Sequence, residues 1–233
     1  NIEVHHCSNK VEDDESPLSG AKKGNSTSMW QCIEAQKKLG ADISLSAGNT
    51  GALFVIAKLN LKMIENIDKP ALSGLWPNKN GTNIVLDLGA NIECGTKNLL
   101  DFSIMGAALY KSLYPSENPN VALLNIGSEE LKGNDIIKNT YKKLINQKNN
   151  LYDFNGYIEG NEIMNSDVNV IVTDGFTGNV ALKTAEGTAN FITKNLKENL
   201  SKNLLNKISL LLSYNALKKF QNQLDPRKYN GAI

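Results

Sequence analysis

Cysteine and histidine are scarce in this sequence, and neither is spaced to hold a metal ion. The cysteines are Cys7, Cys32 and Cys94, and the histidines are the adjacent His5 and His6. No CxxC, HExxH or comparable spacing is present, so we expect neither a metal site nor a cofactor. Scattered thiols, odd in number, are typical of a reducing cytosol. The histidines lie away from every glycine-rich loop, and we expect no catalytic role for them.

Long apolar runs and an excess of charge are also absent. No stretch approaches the length that spans a bilayer, and no signal peptide opens the chain. The formal net charge is +1, so no overall field attracts nucleic acid. There is no GxGxxG with a downstream acidic residue, which disfavours a nicotinamide-dependent dehydrogenase, and no GxSxG elbow that would make Ser46 or Ser103 a nucleophile.

What the chain does contain is a regular alternation of short apolar runs, loops and amphipathic segments. The predicted strands are residues 2–6, 43–46, 71–75, 84–88, 121–126, 154–158 and 168–173. The predicted helices are residues 28–39, 52–63, 100–110, 136–145 and a long segment from residue 180. This rhythm predicts an α/β fold with a doubly wound, mostly parallel sheet in an α/β/α sandwich. We expect residues 1–233 to form a single α/β catalytic domain, truncated at both ends and cut from a longer protein.

Five glycine-bearing loops each follow an apolar run. They are SAGNTG (46–51), DLGAN (87–91), NIGSEELKG (125–133), EGN (159–161) and DGFTGN (174–179). Glycine lets the backbone turn sharply and leaves its N–H groups unobstructed. At the carboxyl ends of parallel strands, such loops form a crevice rimmed by donors that suit an anion. The pattern therefore indicates an enzyme that acts on a phosphate-bearing or otherwise anionic ligand.

Polar residues and glycines of these loops are the candidate site. We predict catalytic roles for Asn49, Asp174, Asn179 and Lys183. We predict phosphate or substrate binding by Ser46, Gly48, Thr50, Gly51, Asp87, Gly89, Asn91, Asn125, Gly127, Glu129, Lys132 and Gly178. Asn179 opens the last helix and Lys183 follows one turn later, so both side chains can face one pocket.

Each of these candidates has a structural alternative. Asn49 and Thr50 would also cap the helix that follows them. A carboxylate such as Asp87 at a strand end often accepts N–H bonds from its own loop. Glu129 and Lys132 would form a surface ion pair that contributes little to stability. Lys183 would lie on a solvated helix face.

The helical region near the C-terminal end has a different character. Within residues 190–222 we predict a protruding helical hairpin whose apolar stripe comprises Leu200, Leu204, Leu205, Ile208, Leu211 and Leu212. The stripe is explained by packing on the body or on a second subunit, or by contact with a membrane surface or an acyl chain. Lys218 and Lys219 follow it and would favour an anionic surface.

Four of the motifs, taken in order, carry a family resemblance. SAGNTGAL (46–53), LDLGAN (86–91), LLNIG (123–127) with Glu129, Lys132 and Gly133, and VTDGFTGNV (172–180) with Lys183 resemble the bacterial phosphate acyltransferases of phospholipid synthesis, of the PlsX type. Two departures accompany the resemblance. First, a starting strand with a Gly-Gly-Asp turn and a late His-Gly-Ser stretch are missing. Second, the loop at residues 21–29 is altered, so either Lys22 or Lys23 could take the position of the family's loop lysine.

The resemblance implies a complete activity. It implies transfer of a long acyl chain from acyl carrier protein to inorganic phosphate, and a fold like those of isocitrate dehydrogenase and phosphotransacetylase. It also implies a homodimer in the cytoplasm, transiently associated with the inner face of the cell membrane, that supplies a membrane glycerol-3-phosphate acyltransferase. The alternatives are a phosphotransacetylase-like enzyme that uses a small soluble thioester, and a non-catalytic scaffold that binds acyl carrier protein.

Overall fold

The chain forms two compact units. A computed structural model describes residues 2–147, 150–200, 212–215, 217–218 and 230–232. The units are Asn1–Pro70 and Ala71–Ile233, and each has a hydrophobic core of its own. The single catalytic domain expected over residues 1–233 stays a prediction.

The first unit is helical. Its helices are α1 (Pro17–Lys22), α2 (Ser28–Lys38) and α3 (Thr50–Leu61). They enclose a small core of Val11, Ala21, Met29, Ile33, Ala52 and Ile56. The positions of α2 and α3 agree with the sequence prediction, whereas no helix was predicted at the position of α1. The sequence nevertheless contains a start signal for α1, because Ser16 caps the helix by accepting from the Ser19 N–H and Pro17 occupies the first turn.

Two strands predicted in the first unit are wrong. Residues 2–6 and 43–46 form no strand, and no described segment pairs with them along a ladder. Their apolar side chains are exposed, with Val4 at 86% and Leu45 at 89%. Branched apolar residues favour an extended backbone, but a strand also needs a neighbour for its N–H and C=O groups.

The second unit is built on a six-stranded sheet. Its strands are β1 (Leu72–Asn78), β2 (Gly81–Leu86), β3 (Asn120–Asn125), β4 (Asp153–Glu159), β5 (Val170–Val172) and β6 (Asn230–Ala232), in the order β4-β3-β5-β2-β1-β6. The four strands from β4 to β2 are parallel, and β1 is antiparallel to both β2 and β6. The link between Asn78 and Gly81 is too short for a crossover, so β1 and β2 form a hairpin.

Helices cover both faces of this sheet, as the α/β prediction requires. They are α4 (Thr96–Leu113), α5 (Asp135–Asn146) and α6 (Gly175–Leu200). Alternate residues of β2 enter different cores: Ile84 and Leu86 pack in the cluster that contains Phe102 of α4, and Val85 packs in the cluster that Leu182 of α6 borders. The fold class is therefore confirmed as α/β with a mostly parallel sheet.

The predicted hairpin falls largely outside the described residues. Helix α6 continues without interruption to Leu200, and Leu204, Leu205, Ile208 and Leu211 lie outside the part that the structure describes. Leu212 is described and is 83% exposed. Among the described helices, none has both the length and the apolar character needed to cross a bilayer.

Candidate functional site

The sheet brings four of the five glycine-bearing loops to one edge. Strands β2, β3, β4 and β5 are parallel, and their carboxyl ends lead into the loops at residues 87–91, 125–133, 159–161 and 174–179. In open α/β sheets this edge is where ligands bind. The common edge that the sequence predicted is therefore present in the second unit.

The carboxylate of Asp87 organises the loop after β2. It is fully buried and accepts five hydrogen bonds of 2.8–3.1 Å, from the N–H groups of Leu72, Gly89, Ala90 and Asn91 and from the Asn91 side-chain amide. Donors surround both oxygens, and the geometry favours the loop-holding role for this side chain. Contact between Asp87 and a ligand stays a prediction.

Helix α6 begins directly against this loop. Asp174 caps it, because its carboxylate accepts from the Thr177 N–H and hydroxyl, each at 2.8 Å. The Gly175 N–H donates to the Asn91 carbonyl at 2.8 Å. A Cβ on Gly178 would overlap the Asp87 carbonyl oxygen, so only glycine lets the helix approach this closely. The positive end of the α6 dipole is thus fixed beside the Asp87 loop.

Asn179 and Lys183 extend from the same end of α6. The Asn179 side chain lies 3.4 Å from the place a Cβ would take on Gly89, whose φ is +133°. Lys183 is exposed and pairs with Glu186, Nζ to Oε2 at 2.9 Å. The structure therefore brings Asp87, Gly89, Asn179 and the α6 N-terminus together, with Lys183 one turn further along the helix.

The loop after β3 is held by its own side chains. The Asn125 amide donates to the carbonyls of Gly127 and Lys132 at 3.0 and 3.2 Å. Glu129 and Lys132 form no ion pair within the described chain; the Lys132 N–H donates to the Glu129 carbonyl at 2.9 Å. The Lys132 side chain is exposed, and its binding of phosphate stays a prediction.

The SAGNTG loop belongs to the first unit, where Asn49 has a structural part. Its oxygen accepts from the Ala52 N–H at 2.9 Å, which caps α3, and its amide donates to the carbonyls of Glu12, Asp13 and Glu15. Asn49 therefore has the helix-capping role that the sequence analysis gave as the alternative to a catalytic role. Roles in binding or catalysis for Asn49, Ser46, Gly48, Thr50 and Gly51 stay predictions.

Two further features concern metal binding and the space between β1 and α6. Within the described residues, no group of three or more His, Cys, Asp or Glu side chains is placed to hold a metal ion. The sequence interpretation missed a small apolar cavity of about 50 Å³ between β1 and α6, which is lined by Trp76, Leu182 and Ala185 among others.

Solved structures of similar fold are phosphotransacetylases. The chain matches the EutD phosphotransacetylase from Staphylococcus aureus with a TM-score of 0.54 and 17% identity, over 74% of this chain and 58% of that one. A phosphotransacetylase from Streptococcus pyogenes matches with a TM-score of 0.54 and 14% identity, over 69% and 54% of the two chains. At these identities the likeness shows the fold alone.

Proteins of higher sequence identity are named phosphate acyltransferases. The chain is 65% identical over 233 residues to the phosphate acyltransferase of Pelagibacter ubique, spanning all of this chain and 70% of that protein. It is 42% identical over 230 residues to the phosphate acyltransferase of Caulobacter vibrioides, spanning 99% and 64%. The resemblance seen in the four motifs is confirmed. The profile of the fatty acid synthesis protein family matches residues 1–233, and the chain belongs to that family.

Proposed function

We propose that the chain transfers a fatty acyl group from the thioester of acyl carrier protein to inorganic phosphate, and so forms an acyl phosphate for phospholipid synthesis. Family membership and relatives named phosphate acyltransferase support acyl transfer to phosphate. The observation that carries the proposal is the junction of the Asp87 loop with the N-terminus of α6. There, the N-terminal end of α6, with its dipole, and the Asn179 side chain lie at the carboxyl edge of the sheet.

The chemistry needs little acid–base help. A phosphate oxygen attacks the thioester carbonyl carbon, the C–O bond forms, and the C–S bond breaks with the electron pair leaving on sulfur. A thiol of pKa about 8.5 departs readily as thiolate, and phosphate is already partly a dianion near neutral pH. The protein must supply a cradle for phosphate, alignment and donors for the tetrahedral oxyanion.

The second unit offers groups for these tasks. Asn179 and Lys183 are proposed to hold phosphate at the start of α6, where the helix dipole favours an anion. To do so, the exposed Lys183 exchanges its half-buried partner Glu186 for phosphate, an exchange that costs little because ion pairs at the surface contribute about 0–1 kcal/mol. Asp87 and Asp174 position the loop and the helix through the hydrogen bonds described above.

Incubation of the protein with a long-chain acyl thioester of acyl carrier protein, with and without phosphate, tests the proposal. Phosphate-dependent release of the carrier thiol, with formation of acyl phosphate, is the expected result. Turnover of acetyl-CoA but not of the carrier thioester would favour the phosphotransacetylase-like alternative. Carrier binding without thiol release would favour the scaffold. Activity is expected to survive EDTA, because lysine and backbone dipoles neutralise phosphate.

Membrane contact, the homodimer and the downstream glycerol-3-phosphate acyltransferase are parts of the same proposal. They rest on the resemblance and on the apolar stripe at residues 200–212 with its following lysines. Partial burial of such side chains with nearby basic residues gives weak, reversible and salt-sensitive binding. Replacing Leu204 and Ile208 with Glu should abolish co-sedimentation with anionic liposomes. A folded double variant that still co-sediments would contradict the membrane role, and a monomeric or unfolded one would show a packing surface.

A further inference from the structure

A polar cavity opens on the first unit, between α2 and the segment that precedes α1. Its volume is about 480 Å³, which lies in the range of small-molecule sites. The preceding segment contributes His5 and Cys7 to its wall, and α2 contributes Ser28, Gln31, Cys32 and Lys38 among others. The proposed acyl transfer assigns no role to any of these residues.

The segment that carries Cys7 is tied to α2 at two points. The Ser28 N–H donates to the Asn9 carbonyl at 3.1 Å, and the Cys7 thiol donates to the Gln31 side-chain oxygen at 3.1 Å. Gln31 directly precedes Cys32 on the helix. These contacts place Cys7 on the cavity wall, beside the turn of α2 that carries the second thiol.

Two of the three cysteines of the chain therefore line one cavity. Cys7 and Cys32 are partly exposed, whereas Cys94 of the second unit is buried. The Cys32 thiol belongs to a helix and donates to the Leu45 carbonyl at 3.5 Å, while both residues next to Cys7 in the chain are exposed. Exchange with a disulfide requires access to the attacking sulfur. Cys7 is the cysteine that a disulfide in the cavity reaches most directly.

The rim of the cavity carries a cation and neutral donors. The Lys38 side chain is 66% exposed and pairs with Glu34 at 2.9 Å. An ammonium group has three N–H donors, so Lys38 can keep Glu34 and still bind an incoming carboxylate. The His5 ring and the Ser28 hydroxyl add donors on the same wall. This lining suits a small molecule that bears carboxylates.

We propose that the cavity is a thiol-modification site, in which Cys7 exchanges with a small, carboxylate-bearing disulfide. The Cys7 thiolate attacks one sulfur of the disulfide, a new S–S bond forms, and the old S–S bond breaks. The released half leaves with the electron pair of the broken bond and takes up the proton that Cys7 lost. Cys7 is thereby oxidised and the released half is reduced.

Oxidised glutathione is the probe for this site, because each half carries two carboxylates and one sulfur. Intact-protein mass spectrometry of the whole chain follows its attachment, and peptide mapping without reductant locates the modified cysteine. One half should attach to Cys7 and none to Cys94, in the parent and in the Cys32→Ser variant. The rate should level off as the probe concentration rises, because binding in the cavity precedes exchange. Unmodified Cys7, or attachment to Cys32 in its place, would overturn the proposal.

Lys38→Gln tests the charged rim, and Lys37→Gln is the matched control. Both lysines are exposed in the last turn of α2, and of the two it is Lys38 that lines the cavity. Lys38→Gln should slow attachment of the probe about twofold to fivefold, the range for one exposed charge pair. Lys37→Gln should leave the rate unchanged, and neither variant should alter exchange with uncharged hydroxyethyl disulfide. Equal rates in the two variants would overturn carboxylate recognition by the cavity.

Unfolding in urea separates the cavity from simple thiol exposure. In the unfolded chain Cys94 should react as well, and the levelling-off of the rate and its dependence on Lys38 should disappear. The same concentration dependence at Cys7 in the folded and the unfolded chain would show that the cavity plays no part. None of these measurements needs turnover, so their outcome does not depend on acyl transfer to phosphate.

Discussion

At the scale of single residues, Lys183 is an exposed member of the proposed phosphate site, with 69% of its side chain accessible. Lys183→Ala should raise the KM for phosphate about tenfold to a hundredfold, because a charge-assisted contact contributes about 1.5–3 kcal/mol. The melting temperature should stay near that of the parent, since the pair with Glu186 is solvated. Steady-state kinetics at varied phosphate measure the effect.

Lys194→Ala is the matched control for this variant. Lys194 is exposed on the same helix, about 16 Å further along its axis at 1.5 Å per residue. Its loss should leave the phosphate dependence unchanged. Equal KM values for phosphate in the Lys183→Ala variant and the parent would remove Lys183 from the site.

Replacement of Asp by Asn should have a large effect on stability at position 87 and a small one at position 174. Asp87→Asn turns an amide NH₂ towards donors that already surround the buried carboxylate, and should lower the free energy of unfolding by about 3 kcal/mol. Asp174→Asn should change it by less than about 0.5 kcal/mol, since Asn caps helices as well as Asp. Urea unfolding followed by circular dichroism compares the two. Equal stability of both variants would show that the Asp87 hydrogen bonds do not stabilise the fold.

At the scale of elements, the contact of α6 with the Asp87 loop depends on Gly178. A methyl group at Gly178 would overlap the Asp87 carbonyl oxygen, a backbone atom that has little freedom to move. Gly178→Ala should therefore destabilise the protein by about 1–3 kcal/mol and, by displacing the helix start, raise the KM for phosphate.

Gly187→Ala on the same helix is the control. Nothing lies within 4 Å of the place its Cβ would take, so alanine should stabilise the helix by about 0.5–1 kcal/mol. The two variants share one substitution in one helix, and chemical denaturation should therefore give effects of opposite sign. Stabilisation by both would show that α6 does not need its close approach to the loop.

The elements that the sequence predicted well are those whose ends are set by nearby residues, such as helices with a capping side chain. Thr27 caps α2 by accepting a hydrogen bond from the Trp30 N–H, and Asn134 caps α5 by accepting one from the Ile137 N–H. The predicted starts of both helices lie within one residue of the observed starts. Residues 2–6 and 43–46 carry a strand composition, but pairing partners decide whether a strand forms. The residue types at 43–46 contain no information about such partners.

The site was predictable in outline and not in detail. The glycine loops identified the carboxyl edge, because their spacing follows from alternating strands and helices. The sequence could not say that Asp87 would be saturated with donors, since Leu72, which supplies one of them at 3.0 Å, lies on another strand. The cavity between β1 and α6 was missed for the same reason, because its walls come from Trp76 of one element and Ala185 of another.

At the scale of the whole molecule, three tyrosines of the second unit, one buried and two partly buried, make its stability sensitive to alkali. Burial raises the pKa of Tyr110, Tyr141 and Tyr157, with further contributions from Glu117 at Tyr110 and from Glu130 at the other two. Below pH about 10 these hydroxyls are protonated in both states, so their contribution is complete. As the pH rises above about 10, the unfolded chain loses these protons before the folded chain does, and stability falls through the folded pKa values.

Two Tyr→Phe substitutions separate this titration from ordinary packing. The Tyr157 hydroxyl is buried without a hydrogen-bond partner in the described part of the chain, so Tyr157→Phe should keep the parent stability at pH about 8. The Tyr110 hydroxyl donates to Glu117 at 2.6 Å and accepts from Asn169 at 2.9 Å, so Tyr110→Phe should cost about 1–3 kcal/mol at that pH. Both should flatten the loss of stability above pH about 10, because each removes a group that ionises in the unfolded chain first. Urea unfolding at a series of pH values, with tyrosinate absorbance as a second signal, measures both effects. An alkaline slope that neither substitution changes would assign the loss of stability to groups other than these tyrosines.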